Sequence, residues 1–191
     1  MRSKAVNMLV KLAMLAAVSI LLVWLVHFPI IPQLGFLEYD MADVPILIGA
    51  FMFGPLPGLL LTLVVCVLQG VLISSASGVI GVVMHLLATG GFVLTAGLIY
   101  HRFHTLKGAL IALGAGAAVM IAIMVPLNYF ISPMFLMNDA MDYSTAQAMI
   151  WDNMWLFVAF NSIKAILNAL LTFLLYKAVS RIFKKEFIHV K

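Results

Sequence analysis

Val44 to Ile73 reads VPILIGAFMFGPLPGLLLTLVVCVLQGVLI, an uncharged run of 30 residues that Gly54-Pro55-Leu56-Pro57-Gly58 interrupts. As a single helix it would be about 45 Å long, whereas the hydrocarbon core of a bilayer is about 30 Å thick. Proline provides no backbone N–H and disrupts a helix interior. The run therefore predicts two segments, and the first of them, Val44 to Phe53, would be only about 16 Å long. Such a segment cannot cross alone and must be tilted, irregular or sheltered by protein.

The composition places the whole chain in a membrane. Its 191 residues are 65% hydrophobic and only 9% charged, and the mean hydropathy is +1.17. Soluble domains carry about a quarter charged residues, so these values exclude disorder, nucleic-acid binding and most cytosolic enzyme classes. The single cysteine, Cys66, lies in an apolar run, so no disulfide framework is expected.

Charge placement decides between five and six crossings. Four further segments are long enough to span, and they run from Met8 to Phe28, Val79 to Tyr100, Gly108 to Ile131 and Asn153 to Tyr176. Cytoplasmic ends of short loops collect Lys and Arg. With the N-terminus inside, six segments put Arg102, Lys107 and the basic tail in the cytoplasm and leave two acidic loops outside. The tail cations are Lys177, Arg181, Lys184, Lys185 and Lys191.

We therefore predict an all-α integral membrane protein. It is expected to be a six-transmembrane-helix bundle with a short or irregular second segment and cytoplasmic N- and C-termini. No repeat or linker is recognisable, so residues 1–191 are expected to form a single domain. The second outer loop, Ser132 to Asp152, is long enough for a short surface helix around Thr145 to Ile150, which would lie over the outer end as a lid.

Lys164 lies near the middle of the last segment, where a charged lysine costs roughly 2.5–3.5 kcal/mol on insertion scales. We expect its ammonium to face the bundle interior and to meet a partner or a ligand; the alternative is a side chain that snorkels to an interface. Asn161, Asn168 and Thr172 share its helix face. Asn168 is interpreted as an interhelical hydrogen-bonding residue and Asn161 as a ligand contact.

Two polar residues on other segments are candidates for the same cavity. Asn128 follows Pro126 near the outer end of the fifth segment, where the missing backbone donor is expected to kink the helix and expose Asn128 to a cavity. His85 and Thr89 are four residues apart on the preceding segment. For His85, binding to a neighbouring helix and contact with a ligand both remain open.

Small residues recur at four-residue spacing on two segments. Ala13 and Ala17 do so on the first, and Gly108, Ala112 and Gly116 on the fifth. Such faces allow two helix backbones to approach closely. Packing within the chain is the ordinary interpretation, and a partner protein is the alternative.

No residues for catalysis are recognisable in the sequence. None of the five histidines is paired with a carboxylate at metal-ligand spacing within a segment, and neither a Ser-His-Asp set nor a phosphate-binding loop occurs. A membrane enzyme with Lys164 as its base would lack a positioned carboxylate. We expect neither an enzyme nor a resident metal or cofactor.

Four short motifs carry a family resemblance: Leu37 to Pro45 (LEYDMADVP), Phe53-Gly54-Pro55, Phe92 to Ala96 (FVLTA) and Phe160 to Lys164 (FNSIK). With them the chain resembles the substrate-binding S component of an energy-coupling factor (ECF) vitamin transporter, of the riboflavin-specific type. The resemblance implies six helices around a pocket open to the outside of a prokaryotic plasma membrane. It also implies that riboflavin is the transported ligand.

The same resemblance implies roles for individual residues. Asn128, Asn161 and Lys164 match positions expected to contact the flavin ring, and Asp43 matches the loop motif. One departure is His85, where relatives often carry asparagine. Another is Gln69-Gly70-Val71, which lacks the Lys-Asn of some relatives.

The resemblance also implies partners. Ala13 and Ala17 look like the family's Ala-xxx-Ala face, which packs on the membrane-embedded T component. Transport would be driven by two ATPase subunits acting through that component, because this chain shows no nucleotide site of its own.

A flavin suits the residue types of the site. The polar edge of its ring alternates carbonyl acceptors with an N–H donor; an asparagine amide offers both kinds of partner, and lysine only donors. The apolar remainder of the ring needs a flat slot, for which we expect Phe36, Tyr39, Phe157 and Phe160. The ribityl hydroxyls need acceptors, and the available outer-loop carboxylates are Glu38, Asp40 and Asp43.

Two other functions remain open. An S component for another water-soluble vitamin would share the features above. A self-sufficient small transporter or channel would use the buried Lys164 to couple ion movement.

Overall fold

The computed structural model describes residues 2–73 and 78–182. Its helices are α1 (Arg2–Leu25), α2 (Asp43–Phe53), α3 (Pro55–Leu72), α4 (Gly78–Arg102), α5 (Leu106–Ile131), α6 (Pro133–Leu136), α7 (Tyr143–Asp152) and α8 (Met154–Ile182). Two short strands, β1 (His27–Pro29) and β2 (Glu38–Asp40), form an antiparallel ribbon around a 3-10 turn, Pro32–Leu34. Of the predicted basic tail, Lys184, Lys185 and Lys191 lie outside the described residues.

Five helices in the described ranges are long and apolar enough to cross a membrane: α1, α3, α4, α5 and α8. Helix α2 has 11 residues, which is too short to span a bilayer. The chain is therefore a predominantly helical protein with several membrane-spanning helices.

The predicted interruption of the central run is confirmed. Helix α2 ends at Phe53 and α3 begins at Pro55. Gly54 between them has a φ of 99°, in the left-handed region that glycine adopts without steric cost. Nine of the 11 residues of α2 are buried, so the short segment is sheltered by protein, as its length requires.

Helix α2 lies at the centre of the bundle and packs against α1, α3, α4 and α8. Gly58 permits the approach of α3, because a Cβ atom at this position would lie 2.6 Å from the Cβ of Ala50. Ile46 and Leu47 of α2 are fully buried in the same apolar core as Val93 of α4. A larger side chain at Gly58 would force α2 and α3 apart.

The chain after α1 differs from the prediction. The first segment, predicted to reach Phe28, ends at Leu25, and His27–Pro29 instead pairs with Glu38–Asp40. Proline explains the difference, because it supplies no N–H and disfavours a helical conformation in the residue before it. The ribbon is absent from the all-α prediction, and it places Asp40 opposite His27 beside the end of α1.

The two small-residue faces differ in burial. The face on α5 is buried within the chain and consists of Gly108, Ala112 and Gly116. Ala13 and Ala17 are exposed, although Leu12 and Ala16 beside them are buried. The face of α1 that carries Ala13 and Ala17 is therefore uncovered within the part of the chain that the structure describes.

The surface helix predicted in the second outer loop is present as α7. Asp142 caps it by accepting a hydrogen bond of 3.1 Å from the backbone N–H of Thr145. Ile150 is buried in one cluster with Leu34 and Phe157. The segment between α1 and α2 and the helix α7 therefore meet near the start of α8. The role of α7 as a lid stays a prediction.

Candidate functional site

A cavity of about 610 Å³ lies between the segment that joins α1 to α2 and helices α1, α3, α4, α5 and α8. Small-molecule sites have volumes of about 300–1,000 Å³. Most of the wall is apolar, and the polar residues come from several elements. They are His27, Glu38, Asp40, Gln69, His85, Ser132, Asn161 and Lys164.

Lys164 forms a buried ion pair with Asp40 at the wall of this cavity. Its Nζ donates a hydrogen bond of 2.8 Å to Asp40 Oδ2, and the two residues are 8% and 5% exposed. A buried cation needs such a partner, because the loss of hydration costs several kcal/mol per ion. The expected orientation of Lys164 towards the bundle interior is confirmed, and the snorkelling alternative is wrong.

Two further donors fix the Asp40 carboxylate. The backbone N–H of Ala42 donates to Oδ1 at 3.0 Å, and Gln69 Nε2 donates to Oδ2 at 3.5 Å. Sequence reasoning treats Asp40 only as one of three outer-loop carboxylates, since nothing local distinguishes it. The pairing of β2 with β1 fixes the position of Asp40 opposite His27, and that pairing joins residues far apart in the sequence.

Asp43 organises a second buried polar cluster beside the first. Its Oδ1 accepts hydrogen bonds from Thr89 Oγ1 at 2.8 Å and from His85 Nε2 at 3.2 Å. Its Oδ2 accepts one from Asn168 Nδ2 at 3.0 Å, and Asn168 Oδ1 accepts one from the Tyr39 hydroxyl at 3.0 Å. The cluster ties α2 to α4 and α8, which agrees with the interpretation of Asn168 as an interhelical residue.

Seven of the predicted ligand contacts line the cavity. Three belong to the loop that joins α1 to α2, namely Phe36, Glu38 and Asp40, and four to the helices, namely His85, Phe160, Asn161 and Lys164. Of the two roles left open for His85, binding to a neighbouring helix is confirmed, because its ring hydrogen-bonds to Asp43 of α2; the residue also borders the cavity. Asn161 donates through Nδ2 to the Phe157 carbonyl at 2.8 Å. Direct contact of these seven residues with a ligand stays a prediction.

The other four predicted contacts, Asn128, Tyr39, Asp43 and Phe157, lie outside the lining of this cavity. Asn128 is fully buried; its Nδ2 donates to a carbonyl of its own helix at 2.7 Å, and its Oδ1 accepts from the Ser132 hydroxyl at 2.9 Å. Tyr39 and Asp43 belong to the polar cluster beside the wall. Their contact with a ligand is likewise a prediction.

Sequence reasoning missed Gln69 as a site residue. It lines the cavity from α3 and is 8% exposed. The available signal was an amide within an otherwise apolar segment, and such a polar group at membrane depth generally has a partner or a function.

The ion pair also sets the ionisation of Asp40. Burial by itself raises the pKa of this carboxyl, but the Lys164 ammonium and its hydrogen bond, together with the neighbouring His85, outweigh burial and hold the pKa below its usual value near 3.8. A carboxyl whose pKa is lowered in the folded state stabilises the fold above its ordinary pKa. This stabilisation is lost as the pH falls through the lowered value.

We therefore expect the unfolding temperature of the ligand-free protein to fall as the pH drops below about 4, and to fall less in Asp40→Asn. Thermal unfolding in detergent, from about pH 7 to about pH 3, measures both proteins. An identical acid profile for the two would contradict the role given to Asp40.

Comparison with known proteins gives a family. The chain matches the family model described as ECF transporter, substrate-specific component, over residues 7–176. It is 32% identical over 125 residues to the riboflavin transporter FmnP of Bacillus subtilis (strain 168), a match that spans 65% of this chain and 65% of that protein. It is 29% identical over 180 residues to the riboflavin transporter RibU of Staphylococcus aureus (strain TCH60), spanning 93% of this chain and 92% of the relative.

A solved structure shares the arrangement of the helices. It is described as the S component of a bacterial ECF transporter, and it matches with a TM-score of 0.77 and 28% sequence identity over 93% of this chain and 98% of its own. The family match and the fold lead to the same assignment. The chain belongs to the family of substrate-specific components of ECF transporters.

Proposed function

We propose that this chain binds riboflavin in the 610 Å³ cavity and captures it as the S component of an ECF-type importer. The observation that carries the proposal is the Lys164 ammonium, which Asp40 holds at the cavity wall. The relatives named above are riboflavin transporters. Their family is one of transporter components and not of enzymes.

The face of α8 in the cavity supplies the partners that the polar edge of a flavin ring requires. One N–H of the Lys164 ammonium donates to Asp40, which leaves two for ring carbonyl oxygens. Asn161 gives one N–H to the Phe157 carbonyl, so its oxygen serves the ring N–H and its second N–H a carbonyl. Riboflavin thus completes hydrogen bonds that the protein leaves unmade.

The apolar wall suits the rest of the ring. Phe36 and Phe160 line the cavity, and aromatic faces pack well against a planar guest. Phe157, expected in the same slot, lies behind Phe36 with the two ring centroids 6.1 Å apart. It supports the slot from outside.

Asn161→Ala is expected to weaken riboflavin binding about tenfold or more, because a buried hydrogen bond to the ring is lost. Asn153→Ala is the matched control: Asn153 makes the same backbone bond, from Nδ2 to the carbonyl four residues earlier at 2.8 Å, but away from the cavity. Titration of the purified proteins with riboflavin measures both. Wild-type affinity in Asn161→Ala would contradict this part of the site.

For the orientation in the membrane, six crossings with α2 as the short second segment and cytoplasmic N- and C-termini fit the charges best. The cavity side then faces the outside of a prokaryotic plasma membrane, together with the acidic loops that carry Glu38 and Asp142. Arg102 and Lys107, between α4 and α5, lie on the cytoplasmic side. The chain acts as one domain.

A membrane T component and two ATPase subunits complete the importer. The exposed Ala13 and Ala17 on α1 support this, because small residues allow another helix to approach. Vesicles that hold this chain alone are expected to bind riboflavin without accumulating it, and accumulation should require the T component, the ATPases and ATP. Uptake by the chain alone would favour a self-sufficient transporter.

The test of the ligand is a binding assay across water-soluble vitamins. Detergent-purified protein is expected to quench the fluorescence of riboflavin at low concentration and to ignore the other vitamins. Tight binding of a different vitamin, without flavin binding, would keep the family and replace the substrate.

A further inference from the structure

Gln69, a residue of the cavity wall, carries a buried hydrogen-bond acceptor without a partner among the described residues. The residue lines the cavity from α3 and is 8% exposed. Its Oε1 is buried without a hydrogen-bond partner among the described residues, while its Nε2 donates to Asp40 Oδ2 at 3.5 Å. Exchanging the amide oxygen and nitrogen would place two acceptors against each other, so the assignment of the two atoms follows from the carboxylate.

An acceptor buried without a partner is unusual in a folded protein and requires an explanation. Asp40 anchors the amide by its nitrogen and so keeps the oxygen unpaired. A ligand that brings an O–H or N–H donor to the Gln69 side chain, with the amide oxygen turned towards it, would complete this hydrogen bond.

A second acceptor lies on the neighbouring helix. A carboxylate can only accept, so His85 Nε2 donates to Asp43, and in the neutral form of the ring Nδ1 is then an acceptor. Gly70, next to Gln69, packs against Val82, one turn before His85. Gln69 and His85 therefore lie on adjacent stretches of α3 and α4, and both residues border the cavity.

The two sides of the cavity differ in chemistry. Helix α8 provides the Lys164 donors, which suit the carbonyl-rich edge of a flavin ring, whereas α3 and α4 provide acceptors. The polyol chain of riboflavin carries O–H donors. Asp40 and Asp43, two of the carboxylates expected for these hydroxyls, already accept hydrogen bonds from protein groups.

Resting on the proposed function, we propose that Gln69 Oε1, together with His85 Nδ1 on the neighbouring helix, accepts hydrogen bonds from the ribityl hydroxyls. Gln69 is thus a specificity-determining residue that favours flavins with a polyol chain over the bare ring. This role is distinct from that of Lys164 and Asn161, which contact the ring.

Gln69→Met tests the proposal, because methionine has a similar length and lacks the amide. The two probes are riboflavin and lumiflavin, which has the same ring with a methyl group in place of the ribityl chain. The variant is expected to bind riboflavin about tenfold or more weakly and lumiflavin as the wild type does. Thr172→Val is the matched control: it removes another buried, unpaired oxygen that does not line the cavity, and neither affinity should change.

Equal losses for the two flavins, or no loss for riboflavin, would overturn the proposal. If Gln69→Met does not fold, the wild type decides: it must bind riboflavin more tightly than lumiflavin, and equal affinities would show that the hydroxyls contribute nothing. A wild type that binds neither flavin would instead refute the proposed function itself.

Discussion

Lys164→Met is expected to weaken riboflavin binding about ten- to hundredfold, because the variant loses charged donors to the ring carbonyl oxygens. The same variant should unfold at a lower temperature without ligand. Its Asp40 carboxylate, 5% exposed, would remain buried without its cation, and breaking a buried pair in this way costs about 3–5 kcal/mol. Riboflavin titration and thermal unfolding in detergent measure the two effects.

A second substitution separates binding from stability. Asparagine at position 40 keeps an oxygen for the Ala42 N–H and removes the unpaired charge, so Asp40→Asn/Lys164→Met should recover most of the stability that Lys164→Met loses. Riboflavin binding should stay weak, because the ammonium is still absent. A double variant as unstable as Lys164→Met would show that the ion pair is not the source of the stability.

Ala13→Trp is expected to abolish co-purification with the T component while leaving riboflavin affinity unchanged. The side chain at position 13 is exposed on α1, away from the cavity, and an indole there would prevent a partner helix from approaching. Pull-down of the assembled importer measures the first effect and titration of the isolated chain the second.

Ile166→Trp is the matched control for added bulk. Ile166 is 60% exposed on α8, so the substitution places the same indole on another helix, and normal assembly is expected. Normal yield of the complex with Ala13→Trp would remove Ala13 from the proposed interface.

Local chemistry explains which parts of the fold were predictable. The break at Gly54-Pro55 and the helix α7 depend on proline, glycine and a capping aspartate, which act on their nearest neighbours. The β1–β2 ribbon depends on pairing between residues 27–29 and 38–40. The loop that contains these residues is apolar and holds two prolines, and its sequence shows no strand periodicity that would indicate such pairing.

In the site, too, features that depend on local chemistry were predictable and contacts between distant residues were not. The energetic cost of a cation at membrane depth was enough to place Lys164 inside the bundle, but not to choose its partner among the outer-loop carboxylates. The engagement of Asn128 within its own helix depends on rotamers that spacing does not specify. The role proposed for Gln69 depends on Asp40, which orients its amide. This contact requires β2 and α3 to meet in space, which the sequence does not reveal.

Riboflavin is expected to occupy the cavity beside Lys164. The most direct measurement is a titration of the purified chain alone, in detergent, that follows flavin fluorescence. We predict saturable quenching at one riboflavin per chain, shifted to higher concentration in Lys164→Met. Flavin fluorescence that does not change on titration would contradict binding in this cavity. So would a Lys164→Met variant that saturates at the same riboflavin concentration as the wild type.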